Sequence, residues 1–285
     1  MPNNQQRGEE ALKNLNREIK SRDRKEKSRP LGVVAVSALA IVSLVGGMWF
    51  MATRDESDNV AQNDPSTTIV DTPTETPQAE ALSGSRATAL PASVQCEYPA
   101  DSGKSSDAKA PQGKDISTQG VVTVTFNTTQ GAIPVEMDRA AAPCTVNAIE
   151  SLAKQGYYDD TICHRMTSGG LAVLQCGDPT GSGAGGPGFQ FANEYPTDEA
   201  TDLNSPVVYP RGSVAMANAG QDTNGSQFFL NYADSMLPPL YTYFGNVTAD
   251  GLDTLDKIAA IGIEGGASDG APAEEIKIES AKVKV

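Results

Sequence analysis

The sequence predicts a mainly β domain, a closed antiparallel β-barrel capped by two α-helices, preceded by a transmembrane helix and a disordered linker. Three observations predict it. From Gly120 onward the chain is a series of short, β-branched, roughly alternating runs. Two longer segments of that region, 139–158 and 251–263, space their apolar residues helically instead. Ahead of them, an uncharged run of 22 residues is followed by a proline-rich acidic stretch.

Residues 1–30 hold nine Lys/Arg and five acids, a basic tail. Residues 31–52, LGVVAVSALAIVSLVGGMWFMA, carry no charge, and 17 of them are apolar. At about 1.5 Å per residue this helix is roughly 33 Å long, enough to cross a hydrocarbon core. Trp49 and Phe50 stand at its far end, where interfacial aromatics are favoured. Basic residues mark the inner side, so the tail is expected in the cytoplasm and the rest outside, on a single-pass signal anchor. A cleaved signal peptide is the alternative. The apolar run exceeds an h-region of about 7–15 residues, and no clear A-x-A site follows it. Residues 53–118 are rich in Pro, Thr, Ser, Asp and Gln, with prolines at 65, 73, 77, 91, 99 and 111. Such a composition lacks the apolar surface to offset chain entropy and is expected to be a solvated tether.

The domain is expected over 119–285. VVTVTFNT (121–128) and AIPVEM (132–137) read as two strands of a hairpin around Thr129-Gln130-Gly131. In RAAAPCTVNAIESLAKQGYY (139–158), Pro143 suits a first helical turn and Gly156 a stop. TICHRM (161–166) and AVLQC (172–176) read as strands around a Ser-Gly-Gly turn. The glycine-rich stretch 177–189 lacks the GK[ST] ending of a P-loop, and no helical pattern follows it. Residues 207–220, 226–232, 242–247 and 274–285 read as further strands, and 251–263 as the second helix. Many short strands with two helices suggest the closed barrel.

Composition excludes several functions. The net charge of −14 argues against a nucleic-acid binder, which needs a basic face. Residues 120–285 alone carry eight Lys/Arg and twenty acids. A single histidine, His164, excludes multi-His metal sites and leaves any Ser-His-Asp or Cys-His enzyme one choice of base. Cys96, Cys144, Cys163 and Cys176 show no CxxC spacing, so zinc and thioredoxin-like readings are weak. All four lie on the expected outer side, which permits disulfides, and three pairings are open. No metal and no cofactor is implied.

Three segments stand out together: Cys163-His164-Arg165, the run QCGDPTG from Gln175, and MANAGQDTNGSQFFL from Met216, supported by FGNV at 244–247. Over about 119–285 the chain resembles the cyclophilin family of peptidyl-prolyl isomerases. With its anchor, linker and cysteines it is similar to membrane-anchored, extracytoplasmic cyclophilins of actinobacteria. The resemblance implies an eight-stranded barrel capped by two helices, with a substrate groove on the outer barrel wall. It places the catalytic arginine at Arg165. Substrate-groove positions fall on Gln175, Ala217, Asn218, Gln227, Phe229 and Leu237. The groove histidine aligns with Tyr241, and Met236 stands where many relatives have Trp or Phe. The segment from Arg165 to Gln175 is two residues longer than the usual pattern. The apolar Phe-Met pair of relatives therefore falls on Ala172 and Val173. Met236 is expected to weaken cyclosporin binding. On the implied fold, Cys163 and Cys176 sit on the two strands of one hairpin, and the expected bridges are Cys163–Cys176 and Cys96–Cys144. The expected partners are proline-containing polypeptides of the secreted or envelope space, met by a monomer.

These residue types suit the reaction. Rotation about a peptide bond costs about 18–20 kcal/mol, because resonance must be broken. The prolyl nitrogen gains lone-pair character as the bond twists. A donor aimed at it is worth more in the transition state than in the planar ground state. Arg165 is a donor that cannot lose its proton. Phe229 and Leu237 would enclose the pyrrolidine ring, and Gln175 and Asn218 would hold the substrate backbone. Catalysis needs no base, so His164 is read as a packing residue.

Overall fold

A computed structural model of the protein describes residues 79–104 and 106–284. The expected cytoplasmic tail (1–30), the transmembrane segment (31–52) and the linker as far as residue 78 lie outside the described residues. Among the described residues no helix is long and apolar enough to cross a membrane.

Residues 79–118 depart from the expected disordered linker, and the folded unit begins well ahead of residue 119. Strand β1 (Ser93–Val94) pairs antiparallel with β2 (Ile116–Ser117). Ala81 forms a parallel bridge to Val208, and Cys96 is disulfide-bonded to Cys144. Arg86 donates from Nε to the Ala141 carbonyl at 2.9 Å and from Nη2 to Asp198 Oδ2 at 2.7 Å. The composition argument weighed only what this segment can bury by itself. Its order comes from partners far along the chain, which no local pattern reports.

β3 (Val121–Thr128) and β4 (Gly131–Asp138) form the expected hairpin, in register from Val121 opposite Asp138 to Thr128 opposite Gly131. Their alternation sends Val122, Val124, Phe126, Ile133, Val135 and Met137 inward. Helix α1 (Pro143–Lys154) starts with proline at its first position and buries Val146, Ile149 and Leu152. Its free N–H groups at Cys144 and Thr145 donate to the carboxylate of Glu194, at 3.0 and 2.8 Å. A residue 49 positions on thus supplies the cap that the helix lacks locally.

The remaining strands are β5 (Thr161–Ile162), β6 (Arg165–Thr167), β7 (Val173–Cys176), β8 (Val207–Tyr209), β9 (Ser213–Met216), β10 (Phe228–Asn231), β11 (Ser235–Leu237), β12 (Tyr243–Val247), β13 (Asp269–Gly270) and β14 (Lys277–Lys284). Helix α2 (Ala249–Ile261) packs on β4, and α1 packs on β3 and β14.

The closed eight-stranded barrel is not what forms. One antiparallel sheet of ten strands runs β13-β6-β7-β10-β9-β12-β4-β3-β14-β5, and its two end strands do not pair. The reason lies in the run 161–166, which sequence reads as one strand. It splits at Cys163-His164. β5 pairs with β14 at one end of the sheet, whereas β6 pairs with β7 and β13 at the other. The sheet curls until a two-residue link joins its ends, but no ladder closes it. β8 and β11 pair with each other outside this sheet.

Curling gives the sheet two buried faces. On β10, Phe228 and Leu230 enter the interior core, while Phe229 joins a second cluster with Val173, Tyr209 and Ala215. Successive side chains of a strand point to opposite faces, so neighbours in sequence serve different cores. The second cluster, on the outer wall, forms the floor of the site.

Candidate active site on the outer wall

One cavity of about 150 Å³ opens over this second cluster. Eight of the sequence-predicted residues line it: Arg165, Val173, Gln175, Ala217, Asn218, Phe229, Leu237 and Tyr241. Its floor is aromatic. Phe229 is buried, with Tyr241 edge-on at 5.6 Å between ring centroids and Tyr209 at 6.3 Å. Tyr209 donates its hydroxyl to the Tyr241 carbonyl at 2.7 Å, which seats the segment carrying Tyr241.

A chain of hydrogen bonds crosses the polar side of the cavity and sets the orientation of each group. Asp178, fully buried, accepts from Thr180 N at 2.7 Å, Thr180 Oγ1 at 2.8 Å, Gly183 N at 2.6 Å and Gly185 N at 3.1 Å. This folds the glycine-rich loop so that Gly183 O and Gly185 O accept from Gln227 Nε2, at 3.0 and 2.9 Å. With its amide nitrogen so committed, Gln227 presents Oε1 to Gln175 Nε2 at 2.9 Å. Gln175 in turn presents Oε1 to Arg165 Nη1 at 3.2 Å. An amide group has one accepting and one donating end, so each link dictates the next.

Arg165 is also gripped from the other side. Its Nε and Nη2 donate to Asp269 Oδ1 and Oδ2, both at 2.8 Å, a bidentate pair. Asp269 reaches it because β13 pairs with β6, Asp269 opposite Thr167. The Asp269 hydrogen bonds raise the arginine pKa further, and the same bonds hold the carboxyl of Asp269 below its ordinary value. No local signal pointed to Asp269, which lies 104 residues away.

Two predicted residues are placed elsewhere. Gln227 faces a neighbouring cavity and acts on the first one through Gln175. Met236 is 56% exposed on β11, beside the cavity and not among its lining. The two extra residues between Arg165 and Gln175 also resolve differently from the alignment. Ala172 is buried, and its N–H donates to Ser235 Oγ at 3.0 Å. Leu171 lines the cavity together with Val173. These two are two positions apart, and the period of a strand, applied to 171–175, would have found Leu171. Asn218 commits its side chain internally, donating from Nδ2 to the Leu240 carbonyl at 2.9 Å.

His164 takes no part. Neither ring nitrogen has a hydrogen-bond partner among the described residues, and burial lowers its pKa. The disulfides are Cys163–Cys176, which ties β7 to the link between β5 and β6, and Cys96–Cys144. Both pairs are those that the resemblance led us to expect.

The chain matches the family described as "Cyclophilin type peptidyl-prolyl cis-trans isomerase/CLD" over residues 122–283. It is 54% identical over 194 residues to "Probable peptidyl-prolyl cis-trans isomerase B" of Mycobacterium tuberculosis, covering 66% of this chain and 63% of that protein. The protein of the same description from Mycobacterium leprae is 51% identical over 197 residues, 67% of either chain. A crystal structure of a cyclophilin type peptidyl-prolyl cis-trans isomerase from Cryptosporidium parvum is 31% identical, with a TM-score of 0.47, over 58% of this chain and 99% of that one. The chain spans just under two thirds of the length of the M. tuberculosis relative. With the family match extending over more than half of its residues, the chain belongs to the cyclophilin type peptidyl-prolyl cis-trans isomerases.

Proposed function

We propose that this chain accelerates cis-trans rotation of X-Pro bonds in secreted or cell-envelope proteins, with Arg165 as the donor to the prolyl nitrogen. One observation carries this reading. Arg165, clamped by Asp269 and Gln175, stands beside an apolar cavity floored by Phe229 and walled by Leu171, Val173 and Leu237. A guanidinium has five N–H groups. Asp269 and Gln175 occupy three, leaving one on Nη1 and one on Nη2 for a substrate.

The mechanism follows from that placement. The pyrrolidine ring enters the apolar cavity, and contact with the floor immobilises one side of the bond. As the bond twists, the nitrogen becomes pyramidal and accepts from a free Arg165 N–H. That bond exists only near the transition state, so its energy lowers the barrier rather than merely tightening binding. No proton is transferred and no covalent intermediate forms.

The test is a proline-peptide isomerisation assay on wild type and Arg165→Ala. A charge-assisted hydrogen bond of about 1.5–3 kcal/mol predicts a tenfold to hundredfold loss of kcat/KM. A wild type no faster than buffer, while still binding the peptide, would identify a binding or chaperone module on the same fold.

The compartment is part of the proposal. Segment 31–52 holds the chain at the membrane with its N-terminus cytoplasmic and the isomerase domain outside. Two disulfides in the domain favour an oxidising space. Membrane fractionation with protease shaving of intact cells tests this; a domain released without detergent or protease refutes the anchor.

A further inference from the structure

A second cavity adjoins the first and shares Gln175, Ala217 and Asn218 with it. Its walls are neutral apart from one residue, Lys104. That lysine lies outside the region matching the family, in the stretch that sequence reads as linker. Its position is built, not incidental. Asp101 N donates to Gly188 O at 2.9 Å, Gln190 N to Pro99 O at 3.0 Å and Ser106 Oγ to Pro187 O at 2.9 Å. These bonds lash Pro99, Asp101 and Ser106 to the far end of the glycine-rich loop. The lysine stem then lies across Gly186, where a Cβ would stand 2.5 Å from Lys104 Cδ. No carboxylate among the described residues lies within ion-pair distance of its ammonium group.

We propose that Lys104 makes this second cavity a subsite for an acidic side chain. The preferred substrates would then be proline-containing segments with Glu or Asp a few residues from the proline. This deepens the isomerase reading and rests on it. Residues 120–285 carry eight basic against twenty acidic side chains, so the domain as a whole repels acidic peptides. A lone cation at the rim of a neutral cavity reverses that locally. An extended substrate spans about 3.3 Å per residue, so a side chain near the proline reaches a cavity that shares three lining residues with the first.

The experiment uses the full-length chain and peptides with a single proline. Glu or Gln is placed in turn at each of three positions on either side of the proline. Both kcat/KM and peptide affinity are measured at low and high salt, for wild type, Lys104→Gln and Lys104→Glu. At one flanking position the wild type should favour Glu over Gln about twofold to fivefold at low salt, the range of a partly exposed ion pair. The ratio should fall to about one in Lys104→Gln, invert in Lys104→Glu and shrink in salt. A ratio that no position ties to Lys104, or that survives Lys104→Glu, overturns the proposal. The affinity ratio reads the subsite independently of turnover. Peptides bound with the Lys104-dependent preference but not isomerised would refute the isomerase reading and leave the subsite standing.

Discussion

Replacing Asp178 by asparagine tests the hydrogen-bond chain at its root, far from the reacting bond. The carboxylate collects main-chain donors from Thr180, Gly183 and Gly185 at 2.6–3.1 Å. An asparagine offers one oxygen. With that oxygen toward Gly183 and Gly185, its amino group faces the Thr180 N–H and leaves that donor without a partner. Losing the charge from two retained bonds costs about 1 kcal/mol each, and the orphaned donor about 1–3 kcal/mol, so about 3–5 kcal/mol in all. For a domain of this size the melting temperature should fall by about 10 °C. Activity should fall too. Gly183 O and Gly185 O anchor Gln227, which orients Gln175 and through it Arg165. A loosened anchor predicts about a tenfold lower kcat/KM at a temperature where the variant is folded. The pH dependence has a definite sign. Burial opposes ionisation of Asp178, but hydrogen bonds from Thr180, Gly185 and Gly183 outweigh it and hold its pKa below the usual 3.8. Its stabilisation is therefore present above the usual carboxylate range and lost as pH falls through the lower folded value. The gap in melting temperature between wild type and variant should be widest near neutrality and close in acid. Melting curves by circular dichroism from pH 7 to pH 3, with peptide kinetics at pH 7, decide it. A variant melting within about 2 °C of wild type with full activity would refute the reasoning.

Other outcomes follow from the same geometry. Asp269→Asn keeps one of the two bonds to Arg165, so kcat should fall about threefold to tenfold with KM little changed. Wild-type kcat should stay level through the ordinary carboxylate range and fall only in more acid solution, because the lowered pKa of Asp269 keeps the pair intact there; the asparagine variant should lack that limb. Leu171→Ala removes part of the cavity wall and should raise KM about fivefold, the equivalent of about 1 kcal/mol of apolar contact with substrate; an unchanged KM would return the wall to Val173 and Leu237. Removing the Cys96–Cys144 bridge by a double serine substitution opens a loop spanning 48 positions and should cost about 4 kcal/mol in the chain-entropy account. Limited proteolysis should then cut within residues 79–118 first, and an unaltered digestion pattern would show that the hydrogen bonds of Arg86, Leu82 and Glu80 suffice to hold the segment.

Much of the site was legible because it rests on local pattern. The resemblance carried by the run from Met216 to Leu230 implies the places of Ala217, Asn218 and Phe229, and the one carried by Cys163-His164-Arg165 and the run from Gln175 implies those of Arg165 and Gln175, which the structure sets opposite each other on paired strands. What went unread depended on distance. Asp269 meets Arg165 only because a two-residue strand returns across 104 positions. Leu171 displaced Ala172 from the cavity because the backbone N–H of Ala172 is drawn to Ser235, 63 residues on. The linker expectation failed over 79–118 for the same reason. Its poverty of apolar residues is real, but a disulfide and borrowed main-chain partners order it.

The sequence by itself determined the β-rich class, the two helices, the hairpin of β3 and β4, and an acidic, single-histidine composition that excludes multi-His metal sites, while the resemblance carried by its motifs implied the arginine. Periodicity and composition are properties of neighbouring residues, and neighbours suffice to read them. Only the tertiary structure decided that the sheet curls without closing its ladder and that Asp269 and Gln175 divide the donors of Arg165 between them. It alone brought Lys104, from the expected tether, to the edge of the second cavity. Those facts are meetings between distant segments, set by which strand ends the curled sheet brings together, and no local pattern encodes them.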